Sequence, residues 1–184
     1  MLFRSLHRVF TLTLVLGVAV LGVAATSQAG HRTAAPACAA SKLSGKFLVV
    51  PNSQGAGNVL YTVQLRNNSS ANCFVSGIPG LRLVGKTGKL LPTKVAPLNP
   101  GALTAVKVTL KPGGYAAATA RFSPDVPGPG EGHRGNCEAV AYKLKISPTG
   151  GGWFTGPVSP PTPVCEHGSL FLTTLVAGKR GPIN

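Results

Sequence analysis

Four cysteines, two late histidines and four acids are the residues of this chain best suited to chemistry. Cys38, Cys73, Cys137 and Cys165 form an even set. In an oxidising compartment such a set makes two disulfides; in a reducing one it more often binds metal. His133-x-x-x-Cys137 and Cys165-x-His167 together hold the ligand types of a four-coordinate zinc site. Export, argued below, favours a disulfide and leaves both histidines as loop residues. A second arrangement starts from His31. Cleavage after Gly30 would make it N-terminal, with an amine and an imidazole able to chelate copper beside His133 or His167. The main reading therefore assigns no metal and no cofactor, and a copper- or zinc-binding secreted protein is the alternative.

Catalysis finds little support. The acids are Asp125, Glu131, Glu138 and Glu166. A hydrolase needs a nucleophile with a base, or paired carboxylates, and there is no Gly-x-Ser-x-Gly elbow. Glycosidases need two acids flanking a cleft. Glu131 and Glu138 share one loop-like stretch. No phosphate-binding or dinucleotide fingerprint occurs, and Gly150-Gly151-Gly152 reads as a flexible turn. Nucleic-acid surfaces interleave aromatics with basic residues. Aromatics make up only 6% here, so that partner is set aside. The expectation is a protein that is not an enzyme.

Residues 1–29 read as a signal peptide. Arg4, His7 and Arg8 start it, the 17 residues Val9–Ala25 are uncharged, and Ser27-Gln28-Ala29 is a cleavage site. That run is short for a membrane span, which takes about 20 residues. No later segment is apolar enough to span. Cleavage leaves 184 − 29 = 155 residues. These are read as a flexible lead-in at 30–36, a single β-sandwich domain at 37–177 and a basic tail at 178–184. The expected location is secreted, with a possible place at the cell wall, as a monomer.

Eighteen Lys and Arg against four acids give +14; without Arg4 and Arg8 the mature chain carries 16 − 4 = +12. Such a field attracts polyanions. In an exported protein these are anionic envelope polymers or lipid headgroups.

The elements that position these residues have a period of two. Val59, Tyr61, Val63 and Leu65 alternate with Thr62, Gln64 and Arg66. Asn67-Asn68-Ser69-Ser70 stops that strand. Cys73 follows, then a Gly77, Pro79-Gly80 corner, and Leu81 and Leu83 flank Arg82 on the next strand. Strands are also expected at Lys46–Val50, weakly at Leu90–Val95, around Val106–Leu110, at Tyr115–Phe122, from Val140 to Ile146 and at Leu170–Val176. Ser123–Asn136 is an irregular insert. Pro148–Pro163 is a Gly/Pro-rich excursion holding the only tryptophan, Trp153. These signals predict an all-β protein, an Ig-like antiparallel β-sandwich with two disulfides. Arg66, Arg82, Lys107, Lys143 and Lys145 sit at outward positions and are candidates for polyanion binding. Trp153 and Phe154 are candidates for a ligand loop.

Several features come together in one order. They are an opening Cys38, a strand ending Arg66-Asn67, Cys73-x-x-x-Gly77-x-Pro79-Gly80, Pro112-Gly113 with Ala116, and the late Cys137 and Cys165. In this the chain resembles the secreted, mostly actinobacterial family called domain of unknown function 4232, from Cys38 to about Thr174. The resemblance implies an Ig-like sandwich, two disulfides and export, and implies no activity. Three pairings of four cysteines exist. Cys38–Cys73 with Cys137–Cys165 is the favoured one, tying the N-terminal segment to the corner and closing the C-terminal excursion. Each bridge is worth about 2–4 kcal/mol.

Intact mass of the secreted protein checks this reading. The expected species begins at Gly30 and is four hydrogens lighter than its reduced form. A start at His31, or free thiols, would favour the metal alternative.

Overall fold

The computed structural model describes residues 34–102, 105–132, 137 and 139–183. The expected signal peptide, His31, His133 and Glu138 lie outside the described residues. Among the described residues no helix is long and apolar enough to cross a membrane.

The strands are β1 (Leu43–Val49), β2 (Val59–Asn67), β3 (Cys73–Val75), β4 (Gly80–Gly85), β5 (Lys94–Pro97), β6 (Val108–Leu110), β7 (Tyr115–Phe122), β8 (Ala141–Ser147), β9 (Phe154–Thr162), β10 (Ser169–Leu172) and β11 (Val176–Ala177). One nine-stranded sheet runs β4-β8-β9-β1-β2-β7-β10-β5, with β11 also paired to β7. Its ends approach each other. Leu91 N donates to Leu83 O at 2.9 Å, and Leu83 N donates to Thr93 Oγ1 at 2.8 Å. The chain from Leu91 to Thr93 leads directly into β5, so the sheet is nearly closed. β3 and β6 form a separate antiparallel pair.

The all-β class and the two disulfides stand. Two features depart from a wholly antiparallel pair of sheets. Nine strands share one sheet, and two pairings, β1–β9 and β5–β10, are parallel. Alternation reports which way a side chain faces, and is silent about which strand lies alongside.

Three local differences have physical reasons. β9 occupies most of the excursion read as Gly/Pro-rich loop. Its prolines are tolerated because the β8–β9 register slips between the pairs Ala141–Thr162 and Lys143–Pro157, and only Val158 and Ser159 register with β1. The last expected strand is split into β10 and β11 at Thr173–Leu175, where Leu175 N turns away to donate to Gly77 O. The strand expected around Val106 is only Val108–Leu110, and Val106 is 57% exposed.

The core is the inward row of each strand. Phe47 and Tyr61 stack with ring centres 4.5 Å apart, and the Tyr61 hydroxyl meets Thr162 Oγ1 at 2.8 Å. Ala116, Ala118 and Ala120 of β7 face this core, while Ala117 and Thr119 face outward and are still buried. The chain end covers them. Thr119 Oγ1 donates to Pro182 O, and a Cβ on Gly181 would lie 2.3 Å from Thr119 N, so only glycine lets the tail cross β7 here. The basic tail thus lies on the sheet, held at Lys179 and Pro182.

Asn67 ends β2 fully buried. Its Nδ2 donates to Ala71 O at 2.8 Å and Leu110 O at 3.1 Å, and its Oδ1 accepts from the backbone and hydroxyl of Ser69. Its backbone N donates to Gly114 O, and its carbonyl accepts from Gly113 N. Three turns meet on one residue. Asn67→Ala strands buried carbonyls and should cost about 3 kcal/mol. Denaturant unfolding checks this, and a loss below about 1 kcal/mol would show that the turns hold without the carboxamide.

Candidate functional site

Strand order decides which basic residues meet. Arg82 of β4 lies directly opposite Lys145 of β8, and Lys145 lies opposite Thr155 of β9. On the other side of β9, Ser44 of β1 pairs with Arg66 of β2, and Arg66 pairs with Tyr115 of β7. One row over, Lys143 pairs with Pro157, and Lys46 pairs with Gln64. All these side chains point outward. Arg66, Arg82, Lys143 and Lys145 therefore share one continuous outer face of β4-β8-β9-β1-β2. Lys107 does not. It precedes β6 in the separate pair, with Nζ 4.7 Å from the Phe74 ring centre.

Two cations on this face were missed. Lys46 is the outward position between Ser44 and Leu48 on β1. Strand alternation alone exposes it once β1 is known to start at Leu43. Lys179 comes from the tail, its Nζ 4.9 Å from the Tyr115 ring centre, and no strand signal marks it. Between Lys46 and Arg66 the face dips into a groove of about 310 Å³ also lined by Ser44, Gln64 and Thr155.

Trp153 and Phe154 part company. Phe154 is half-buried against the core. Trp153 is 44% exposed, and the Arg82 guanidinium lies 4.7 Å from its ring centre. It extends the basic face at the Arg82 end.

No acid occurs anywhere in β1, β2, β4, β8 or β9. Among the described residues the single ion pair is elsewhere, between His167 Nδ1 and Glu131 Oε1 at 3.3 Å. Like charges directly opposite each other, as Arg82 and Lys145 are, destabilise a strand pair. Among the described residues the face thus holds repelling cations with no ion-pair partner.

The remaining chemistry-bearing residues gather at the second disulfide. Cys38 is bridged to Cys73 with Cα atoms 4.9 Å apart, and Cys137 to Cys165 with Cα atoms 5.0 Å apart. One ligand atom each of Glu131, Cys137 and Cys165 falls within 4.8 Å of the others, a spacing that a metal could span. Two facts use up those donors. The sulfurs are bonded to each other and offer no thiolate. The Glu131 carboxylate is already engaged, accepting from Gly128 N at 2.7 Å, Glu166 N at 2.8 Å and His167 N at 2.7 Å. Glu166 and His167 both have φ near +50°, which turns their consecutive amides onto one carboxylate. His167 Nε2 lies 3.1 Å from Pro129 O. Glu131 is a structural anchor that fastens the irregular insert to the Cys165 loop. The only sequence sign of it was an acid in an acid-poor chain.

The family model described as Domain of unknown function (DUF4232) matches residues 38–175. The chain belongs to this family. Comparison with curated proteins and with solved structures gives no match. The match spans both disulfides and strands β1 to β10, and brings no activity with it.

Burial would raise the Glu131 pKa, but the three backbone donors and the His167 imidazole outweigh it and hold the carboxyl below its ordinary range. A depressed folded pKa means the anchor is complete above the unfolded carboxyl value, about 4.3, and is lost as pH falls through the folded value. Thermal melts from pH 7 downward should therefore show stability dropping below about pH 4. Glu131→Gln should lower stability at pH 7 by about 1–3 kcal/mol and flatten that acid limb. An unchanged acid limb would assign the pH dependence to other groups.

Proposed function

We propose that this domain is an exported, monomeric, non-catalytic binding module for anionic ligands of the cell envelope. The observation that carries the reading is the row of uncompensated cations, Arg82–Lys145 and Lys143 on one half, Lys46 and Arg66 on the other. Repulsion within that row costs stability in the free protein and is relieved when phosphate or carboxylate groups bind. Trp153 offers an exposed aromatic surface beside Arg82. The proposal extends to the fold, as an Ig-like sandwich in which the β3–β6 pair faces β1, β2 and β7. Cys73, Val75, Val108 and Leu110 share one core cluster with Phe47, Val63 and Ala118, which supports that facing.

Binding of the purified protein to an anionic phosphate-bearing wall polymer across a salt series tests the reading. Affinity should fall steeply as salt rises from 50 to about 500 mM, because exposed charges are screened beyond the Debye length. A basic residue near an anionic surface is worth about 1 kcal/mol. Arg82→Ala with Lys145→Ala should therefore weaken binding about thirtyfold. Lys107→Ala should leave it within about twofold. Salt-insensitive binding, or equal losses in both variants, would overturn the proposal.

A further inference from the structure

The basic face changes character along β1. Its outward positions run Ser44, Lys46, then Leu48, with Val50 beyond, so the surface passes from cationic to apolar within one strand. The chain end lies across the apolar half. Gln64 Nε2 donates to Lys179 O at 2.9 Å, and Pro182 O is held by Thr119. Between this strap and the outer side of β1 lies a groove of about 530 Å³. Leu48, Val49 and Val50 line it on the strand side, and Lys179, Arg180 and Ile183 on the tail side. Its volume falls in the range of small-molecule sites, about 300–1,000 Å³. Ile183 is 62% exposed at the rim, and both Lys179 and Arg180 are exposed. Gln64 lines this groove and also the polar one that holds Lys46 and Arg66, so the two adjoin at this side chain.

Resting on the anion-binding reading of the face, we propose that this double groove binds a single-chain anionic amphiphile. Its phosphate or carboxylate head lies among Lys46, Arg66 and Lys179, and its alkyl chain lies along Leu48 and Val50 under Ile183. Charge complementarity selects an anionic head. The passage from cations to aliphatic side chains selects an amphiphile over a simple anion. The groove is walled on the tail side, which suits one free chain better than a flat bilayer. A second copy of the protein would bring a like-charged face.

The test titrates the secreted protein with n-alkyl phosphates of four, eight, ten and twelve carbons, kept below micelle formation, with alkyl maltosides as neutral controls. Each added methylene buried should tighten binding about three- to fourfold, so the twelve-carbon ligand should bind about a hundredfold more tightly than the eight-carbon one. Ile183→Ser, on an exposed side chain, and Leu48→Ser, checked for an intact thermal transition, should each flatten that dependence without adding charge, while Lys107→Ala, which lines neither groove, should leave the chain-length dependence unchanged. Salt-sensitive binding that ignores chain length would sink the groove and leave the anion-binding face standing. Maltosides binding as well as phosphates would remove head-group selection and sink the proposal. Binding to anionic vesicles without binding of monomeric alkyl phosphate would overturn it in favour of a membrane surface. Absence of binding to both alkyl phosphates and the wall polymer would sink both readings.

Discussion

The buried carboxamide of Asn67 is the constraint on which the sheet depends. A buried amide is tolerable only when its donors and acceptor are all used. Here they are used by three turns, at Ala71, Ser69 and Leu110, while the Asn67 backbone clasps Gly113 and Gly114. Fixing those turns fixes where β2 ends and where β7 begins. The register Leu65–Ala116 and Arg66–Tyr115 follows, and with it which side of β2 faces water. A slip of one residue would send Arg66 inward and Leu65 outward. The disulfide Cys38–Cys73 adds a covalent tie just beyond the same turn. The outward orientation of the basic row therefore originates in an uncharged, buried side chain.

Charge is distributed in two unlike ways. The described acids, Asp125, Glu131 and Glu166, all lie outside the strands that form the basic face. Glu131 is spent internally, its oxygens committed to three amides and a histidine. None is placed where it could neutralise Arg82, Lys143 or Lys145. Ordinary soluble surfaces intersperse both signs, and the high net charge here comes from removing acids more than from adding bases: Lys and Arg number 18 in 184 residues. Charge excess alone would be consistent with simple solubility. Its concentration across registered neighbouring strands is the feature that solubility does not require.

Much of the strand pattern was legible in the sequence. β2, β4 and β8 are half-buried, and alternation marks such strands directly, whereas β7, buried on both faces, is marked by its alanine-rich run. β9 was not, because three prolines conceal a strand whose irregular register spares the missing donors. Without β9 the neighbours of β1 and β8 cannot be inferred, and neither can the continuity from Arg82 to Arg66. Four of the five basic candidates came together because facing is encoded locally. Lys107 did not, since membership of the β3–β6 pair is a matter of topology. Lys179 and the strap from Gly178 to Ile183 were invisible for a different reason. Their placement rests on hydrogen bonds to Gln64 and Thr119, more than 50 residues distant in sequence.

The strap also explains an oddity of β7. An outward-facing alanine and threonine on a central strand, Ala117 and Thr119, would normally be wet. Here they are buried, because small side chains are what permit another segment to lie flat on the strand. Gly181 completes the fit from the other side, its backbone meeting Thr119 at a distance that excludes a Cβ. The chain end is thus shaped to one place on the outer face, the place where β1 turns from Lys46 to Leu48. A tail serving only solubility would gain nothing from such a fit. The hydrogen bonds from Gln64 and Thr119 hold the tail still, while Lys179 lies over the Tyr115 ring and Arg180 and Ile183 stay exposed at the groove.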